Sequence, residues 1–271
     1  MRFLIFFLLI CIQHMTNAQI PDTAQVYSES MQKNIPALII LPENYDASAT
    51  KLTYPALYML HGHSGDFIGY YFHMADLQTL ANQYQMILVC PDGGYNSWYM
   101  DAPIGTDCKY ETFISFELTS YVDKNYSTRP HKDSRAICGI SMGGYGALYN
   151  AIRHPDIFGA AGSMSGAVDF TPFPTEWQLS DRLGPYLLNK KRWESYSLIN
   201  MIGEIPKDLA ILVDVGVRDF FVQVNRNFHN KLLQAHIPHD YIEREGDHDW
   251  NYWANACRFQ MLFFHHFFNK S

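Results

Sequence analysis

A short stretch of the sequence has the residue types and the spacing of a reactive serine. The run RAICGISMGGYGA places Gly139, Ser141 and Gly143 in a Gly-x-Ser-x-Gly pattern between a short apolar strand and a helix of small residues. On such a tight turn the serine hydroxyl projects above the sheet, and glycine is required on either side because a Cβ would collide with the neighbouring strand or helix. The pattern predicts that Ser141 is a nucleophile, whereas Ser163 and Ser165 lack this register. The alternative is an ordinary serine in a glycine-rich turn.

A serine hydroxyl is a weak nucleophile at neutral pH unless a base accepts its proton and an acid orients that base. The chain order serine, acid, histidine favours His248 as the base, in a loop between a predicted strand and the last predicted helix. His61 and His154 precede a glycine and a proline, which are positions typical of structural residues. For the acid, Asp214 lies inside the run ILVDVG, and Asp219 lies just past it, at the carboxyl end of a strand, where catalytic side chains gather. We therefore favour Asp219.

Two main-chain N–H groups are expected to stabilise the negative charge that develops on a carbonyl oxygen under attack. One belongs to Met142, directly after the serine, at the start of a helix whose positive end points at this oxyanion. The other belongs to the loop after the run LHG, at His63, where Gly62 allows the backbone to approach closely. The side chain of His63 is interpreted as part of the pocket wall.

Aromatic side chains near these loops are candidates for binding an acyl group or a sugar ring, because aromatic rings stack well on both. The candidates are Trp98, Tyr99, Trp177 and Trp250. The alternative is that large aromatic residues cover the core beneath long loops, and for Trp177 and Trp250 the two interpretations carry equal weight. Trp98 is the better placed for binding, since it lies in the aromatic loop that follows a strand end.

The candidate serine, acid and histidine lie far apart in the sequence, so they can meet only if the ends of their strands lie at one edge of a sheet. Short apolar runs alternate with helical stretches, which predicts a single domain over residues 19–271, with a mainly parallel sheet covered by helices on both faces. Residues 169–207 contain Pro and Trp, lack clean periodicity and are predicted to form a short cap-like insertion over the strand ends. Outside the serine turn, the predicted strands lie at 24–30 and 35–41 (a hairpin around Lys33 and Asn34), 55–60, 86–90, 159–164, 209–215 and 241–244, and the predicted helices at about 74–83, 111–124, 220–235 and 251–268.

The start of the chain has the features of a targeting segment. One basic residue precedes an apolar run at 3–12, which is too short to span a bilayer, and small residues follow at 16–18. We expect a signal peptide over residues 1–18, cleaved before Gln19, and therefore a secreted or periplasmic protein. A lipoprotein signal at Cys11 ranks second, because Ile10 before it is bulkier than such sites usually tolerate.

The charge balance excludes some classes of partner. Without Arg2, which belongs to the first segment, 19 basic and 27 acidic residues remain, a formal charge of −8. We identify no basic cluster in the sequence, so we expect neither nucleic acid nor an anionic membrane surface as a partner, and no stable membrane anchor after signal cleavage.

Five sequence runs, taken in order, make a family recognisable. They are LHGHSGD (60–66), PDGGYNSWY (91–99), GISMGGYGAL (139–148), HPDIFGAAGSMSGA (154–167) and GDHDW (246–250). Together they resemble the esterase D type of α/β-hydrolase, over residues from about 24 to 268. That family includes S-formylglutathione hydrolases, tributyrin esterases, antigen 85-type mycolyltransferases and feruloyl or acetylxylan esterases. The resemblance implies Ser141 as the nucleophile, Asp219 as the acid and His248 as the base, with neither a metal nor an organic cofactor.

Four cysteines follow the first segment: Cys90, Cys108, Cys138 and Cys257. They include no Cys-x-x-Cys spacing, which argues against a zinc site. In the fold that the resemblance implies, the strand ending at Leu60 lies between the strands of Cys90 and Cys138, so these two residues are about 9.6 Å apart. A disulfide needs Cα atoms within about 7 Å, and we expect both to be free, buried thiols. Pairing of Cys108 with Cys257 stays open.

The resemblance, together with the predicted signal peptide, implies an exported serine carboxylesterase that acts on short-chain acyl or on feruloyl- and acetyl-type esters, either small molecules or linked to a polysaccharide. Export argues against glutathione thioesters, which are cytosolic. Three alternatives remain: an acyltransferase to a sugar hydroxyl, a thioesterase similar to S-formylglutathione hydrolase, and a non-catalytic hydrolase fold that binds carbohydrate. The intact serine, acid and histidine count against the last of these.

Overall fold

The computed structural model describes residues 21–47, 53–105 and 107–270. The signal-peptide prediction for residues 1–18 lies outside the described residues. Within them, no helix is both long enough and apolar enough to cross a bilayer.

One sheet organises the described part of the chain. Its strands are β1 (Asp22–Ser28), β2 (Lys33–Ile40), β3 (Ala56–Leu60), β4 (Ile87–Pro91), β5 (Arg135–Ile140), β6 (Ala160–Met164), β7 (Ala210–Gly216) and β8 (Asp240–Arg244). Their order in the sheet is β1-β2-β4-β3-β5-β6-β7-β8, in which β1 and β2 run antiparallel to their neighbours and the other six strands run parallel to one another. The predicted, mainly parallel sheet is therefore confirmed.

Helices cover both faces of this sheet, as the alternation of apolar runs predicts. Helices α3, α4, α5 and α8 pack on one face together with α6 and α7, and α1, α2 and α9 pack on the other. A π-helical segment, Phe113–Leu118, joins α3 to α4. The helices are α1 (Gly69–His73), α2 (Leu77–Tyr84), α3 (Tyr110–Thr112), α4 (Thr119–Asn125), α5 (Met142–Arg153), α6 (Ser180–Leu183), α7 (Tyr186–Tyr196), α8 (Val222–Gln234) and α9 (Trp250–Phe268).

The central strand β3 shows why its sequence is apolar throughout. Tyr58 and Leu60 pack into the core on one face of the sheet, and Leu57 and Met59 pack into the core on the other. All five residues of the strand are buried, because a central parallel strand between two layers of helices has no solvent-facing side. Its carboxyl end delivers the LHG run to the same edge of the sheet as the serine turn.

The first hairpin differs from its prediction in one respect. The turn lies at residues 29–32, where Gln32 has φ of 52°, and β2 already begins at Lys33. Glu117 fixes this turn from the neighbouring π-helical segment, since its carboxylate accepts hydrogen bonds from the Ser28 hydroxyl at 2.6 Å and the Ser30 amide at 2.7 Å. The prediction at Lys33 and Asn34 was wrong because it could not include this distant acceptor.

The cysteines lie where the strand order places them. Cys90 in β4 and Cys138 in β5 are separated by β3, as predicted, and burial raises the pKa of both thiols. Cys108 and Cys257, whose pairing the sequence left open, are also free and buried. All four side chains therefore fill the core as small apolar groups.

Candidate active site

The serine turn has a strained backbone that only its glycine neighbours allow. Ser141 joins β5 to α5 with φ of 54° and ψ of −115°. A Cβ at Gly143 would overlap the main-chain oxygen of Leu60, and a Cβ at Gly139 would overlap the carbonyl of Gly143. The predicted need for glycine on both sides of the serine is confirmed. Strain of this kind persists only where the surrounding structure enforces it, and it concentrates at functional sites.

The three side chains expected to form a hydrogen-bonded chain lie in contact. The Oγ of Ser141 is 2.9 Å from Nε2 of His248, and Nδ1 of His248 is 2.8 Å from Oδ2 of Asp219. Because an ionised carboxylate can only accept hydrogen bonds, Nδ1 carries the proton and donates it to Asp219. Nε2 then presents its lone pair to the serine hydroxyl, which is the arrangement that a general base requires.

Asp219 is held in place by its own loop. The side chain is only 2% exposed, and its second oxygen, Oδ1, accepts a hydrogen bond from the amide of Phe221 at 2.7 Å. The rival acid, Asp214, is fully buried in β7 and accepts hydrogen bonds from the Tyr252 hydroxyl and the Arg244 guanidinium. Burial raises the pKa of Asp214 to about 6, although both partners oppose the shift. Of the two aspartates, Asp219 is the one that contacts the imidazole.

The loop that carries His248 is fastened to the loop that carries Asp219. The amide of Val217 donates to the carbonyl of Arg244, and the amide of Arg218 donates to that of Gly246, at 2.9 and 3.0 Å. The guanidinium of Arg218 also forms a bidentate ion pair with Asp247 and contacts Glu245. The acid and the base are therefore positioned by one shared set of contacts.

His61 is buried beneath the site and connects two loops. Its Nε2 accepts a hydrogen bond from the amide of Gly93 at 2.7 Å, so Nδ1 carries the proton and donates to the carbonyl of Gly62 at 2.7 Å. Burial lowers the pKa of His61, which keeps the ring neutral. This arrangement ties the loop after β3 to the loop after β4.

One of the two expected N–H donors, Met142, directly follows the serine, and the loop expected to supply the other passes close by. Met142 is the first residue of α5, so its N–H lacks an acceptor within the helix. The main chain at Gly62 also approaches the turn closely, because a Cβ added there would lie 3.4 Å from the Cβ of Ser141. The ring of His63, the next residue, packs edge-on against Tyr95 and borders the cleft, and burial lowers its pKa.

A cleft of about 500 Å³ opens above the serine. Trp177 stacks on Phe220 with ring centroids 5.6 Å apart, and Phe220 in turn lies 4.1 Å from the ring of His248. A second pair consists of Trp250 and His73, stacked at 4.3 Å with an interplanar angle of 12°. The other side chains that line the cleft next to Ser141 and His248 include His61, His63, Ser64, Asp66, Phe72, Ile140 and Trp253.

Two of the four predicted aromatic binding residues lie elsewhere. Trp98 and Tyr99 are 1% and 0% exposed and border no part of the cleft. Both have a positive φ, and the ring of Tyr99 fills space that is open only because residues 93 and 146 are glycine. Trp98 packs against Tyr145 and lies behind the cleft-lining Trp177, with ring centroids 5.8 and 6.4 Å apart. The prediction that Trp98 and Tyr99 contact the substrate is therefore wrong. Both residues instead support their loop from the core side.

Several residues of the cleft were not anticipated. Phe72 and His73 end α1, a five-residue helix too short to show a periodic pattern. Phe220 directly follows Asp219 in the sequence, and that adjacency was the one available signal. Within residues 21–47, 53–105 and 107–270, no group of three or more His, Cys, Asp or Glu side chains is arranged to hold a metal ion.

Comparison with known proteins gives consistent matches. A family model described as "Putative esterase" matches residues 28–261. Esterase MT1326 of Mycobacterium tuberculosis is 35% identical over 237 residues, which cover 78% of this chain and 51% of that protein. An acetyl esterase of Caldicellulosiruptor saccharolyticus is 27% identical over 262 residues, covering 85% of this chain and 94% of the relative.

The fold is also found among solved structures. A ferulic acid esterase superimposes with a TM-score of 0.79 at 26% identity, covering 92% of this chain and 98% of that one. The chain spans about half the length of the Mycobacterium tuberculosis relative. The sheet order, the serine turn and these matches together identify an α/β-hydrolase fold.

Proposed function

The chain belongs to the esterase family, and on that premise we propose that it is a serine carboxylesterase that forms an acyl-enzyme on Ser141. The observation that carries the proposal is the continuous contact from Ser141 through His248 to Asp219, at 2.9 and 2.8 Å. A buried acid, an oriented imidazole and a hydroxyl on a strained turn together form the set that acyl transfer requires.

The reaction follows from these positions. His248 takes the proton of the Ser141 hydroxyl as the oxygen attacks the ester carbonyl, and Asp219 stabilises the imidazolium that results. The N–H groups of Met142 and His63 hold the oxyanion of the tetrahedral intermediate. His248 then protonates the leaving alcohol. Water, deprotonated by the same imidazole, attacks the acyl-enzyme and releases the acid, which returns Ser141 to its starting state.

The cleft supports a small or aromatic acyl group as the substrate. Trp177 and Phe220 form one aromatic surface beside the imidazole, and Trp250 forms another. Such surfaces suit a planar acyl group or the face of a sugar ring. Relatives named acetyl esterase and ferulic acid esterase agree with this chemistry, so we propose acetyl- or feruloyl-type esters, including those linked to polysaccharide.

Export is part of the same proposal. The apolar run and small residues of the first 18 positions support a cleaved signal peptide and a secreted or periplasmic enzyme. In that location a glutathione thioester would not be available as a substrate. An acyltransferase remains the second candidate, supported by the ring surface of Trp250, on which an acceptor sugar could stack next to the acyl-enzyme.

Hydrolysis of p-nitrophenyl acetate, p-nitrophenyl butyrate and methyl ferulate tests the proposal directly. Ser141→Ala should abolish turnover and labelling by a fluorophosphonate probe. Ser195→Ala, which removes an exposed hydroxyl in α7 outside the cleft lining, should retain both. Full turnover in Ser141→Ala would refute the assignment, and product analysis with added xylose or glycerol separates hydrolysis from transfer.

A further inference from the structure

Two adjacent leucine side chains project from the protein surface into solvent. Leu187 and Leu188 are 79% and 84% exposed, the highest values among the large hydrophobic side chains that the structure describes. Single exposed leucines are common in soluble proteins, but a contiguous apolar projection usually marks a contact surface. These two residues lie in the first turn of α7, which begins at Tyr186, directly after Pro185.

The backbone of this segment forms a single closed turn. Gly184 has φ of 79°, and Asn189 has non-helical angles that interrupt α7 after its first turn. The side-chain amide of Asn189 donates to the carbonyl of Pro185 at 2.9 Å and so closes the turn from Pro185 to Asn189. Both leucines are thereby held on a protruding corner, and neither lies on the buried side of a longer helix.

Trp193 anchors the turn to the core. This residue is fully buried, its Nε1 donates to the carbonyl of Gly184 at 2.9 Å, and its ring packs against Tyr186 and Phe170. Arg192 adds hydrogen bonds to the carbonyl of Leu183 and the side-chain oxygen of Asn189. The leucines are therefore presented by a rigid support, so little conformational freedom is lost when a partner binds them.

Three cationic residues follow the two leucines in the sequence. Lys190 and Lys191 are exposed and directly follow the turn, and Arg192 comes next. Among the ion pairs of the described residues, none involves these three cations, although seven other Lys and Arg side chains take part in one. The chain as a whole carries a formal charge of −7, so this basic corner is a local exception that the overall charge concealed.

We propose that residues 185–192, here called the leucine tip, dock the protein reversibly on an anionic lipid bilayer. Leu187 and Leu188 would enter the boundary between headgroups and acyl chains, while Lys190 and Lys191 would bind lipid phosphates. This proposal departs from the expectation, drawn from the net charge and the absence of a basic cluster, that an anionic membrane surface is not a partner. The proposal does not depend on the esterase activity.

The charges also distinguish a bilayer from a second copy of the chain. A two-fold contact would place the same patch of both copies face to face. The cations of one leucine tip, which take part in no described ion pair, would then lie against those of the other, and like charges that meet in an interface oppose association. An anionic bilayer offers both an apolar region for the leucines and negatively charged phosphates for the lysines.

Sedimentation with vesicles of phosphatidylcholine, with and without phosphatidylglycerol, tests the proposal. The wild-type protein should bind the vesicles that contain phosphatidylglycerol, and added salt should weaken this binding. The double variant Leu187→Ser, Leu188→Ser should lower the partition coefficient at least about tenfold. Lys190→Gln and Lys191→Gln should each lower it about fivefold.

The matched control is the double variant Leu233→Ser, Leu262→Ser, which removes two exposed leucines from α8 and α9 and should bind vesicles as the wild type does. Turnover of p-nitrophenyl acetate by the leucine-tip variants reports that the fold is intact. Absence of wild-type binding at low salt, or equal binding by the leucine-tip variant, would overturn the proposal. A wild-type dimer in sedimentation velocity that the same variant dissociates would overturn it in favour of a second copy.

Discussion

The hydroxyl of Tyr252 donates a hydrogen bond to the buried carboxylate of Asp214. Asp214 belongs to the strand that leads to Asp219, and Tyr252 lies in the first turn of the helix that follows His248. The main chain at Gly246 rests on the ring of Tyr252 so closely that a Cβ there would overlap it. This pair therefore connects the supports of the acid and the base, and we infer that it fixes the distance between them.

Tyr252→Phe removes the hydroxyl and keeps the ring. One buried oxygen of Asp214 loses its partner, which should lower the free energy of unfolding by about 1–3 kcal/mol. The hydrogen bond to Asp214 no longer helps to hold the loop that carries His248, so kcat for p-nitrophenyl acetate should fall while KM changes little. Urea unfolding and steady-state kinetics measure the two effects. Tyr27→Phe, which removes an exposed hydroxyl that bonds Gln32, is the control, and equal behaviour of the two variants would contradict the inference.

The two aspartates should respond differently to the same substitution. Asp219→Asn preserves shape but replaces an oriented carboxylate with an amide that no longer stabilises the imidazolium, so kcat should fall by about four orders of magnitude. Asp214→Asn should mainly lower stability, since the residue bonds Tyr252 and Arg244 and does not contact the imidazole. Kinetics and thermal unfolding of both variants provide the comparison. A stable Asp214→Asn enzyme with the larger loss of kcat would reverse the assignment.

Glu111 makes stability depend on pH in the acid range. It is buried, and although burial would raise its pKa, hydrogen bonds from His154 and Arg153 outweigh that effect and lower the pKa to about 2. A lowered carboxyl pKa stabilises the fold above its ordinary value of 4.5, and this contribution disappears as the pH falls from about 4.5 towards 2. At pH values well above 4.5, the lowered pKa of Glu111 contributes about 3 kcal/mol to the free energy of unfolding.

The variant Glu111→Gln should therefore be less stable than the wild type at pH 7, and the difference should shrink as the pH is lowered below about 4.5. Urea unfolding of both proteins across that range measures it. Glu204→Gln changes an exposed residue in the loop before β7. Its difference in stability from the wild type should not shrink as the pH is lowered. A difference that stays constant down to pH 3 would show that Glu111 does not titrate as described.

The sequence predicted what depends on local pattern and chain order. The alternation of apolar runs predicted the sheet, and the glycine spacing predicted a turn whose neighbours exclude any Cβ. Residues whose position depends on distant partners were missed. Trp98 and Tyr99 follow a strand end but turn inward, and the ring of Tyr99 fits there because Gly146, far along the chain, and the nearby Gly93 carry no Cβ. Leu187 and Leu188 lie in residues 169–207, where no clean periodicity indicates which side chains are buried, and the break at Asn189 that presents them to solvent is visible only in the structure.

Phe220 offers a test of acyl selectivity. Its ring is half exposed, lies 4.1 Å from the ring of His248 and stacks on Trp177. An aromatic acyl group on the serine would extend this stack, whereas an acetyl group is too small to reach it. Aromatic pairs contribute about 0.5–1.5 kcal/mol beyond the area that they bury, so Phe220→Ala should lower kcat/KM for methyl ferulate by about tenfold.

The same variant should leave kcat/KM for p-nitrophenyl acetate within about threefold of the wild-type value. The methyl group of an acetyl ester is too small to bury much area against Phe220, so its contact contributes only a few tenths of a kcal/mol. Phe116→Ala is the control, because Phe116 has a similar exposure but packs on His154, outside the cleft lining. An equal loss on both esters would show that Phe220 acts by positioning the imidazole. A loss confined to the aromatic ester would mean that the ring next to the base selects the acyl group, and that the cleft binds the acyl chain on the Trp177 side.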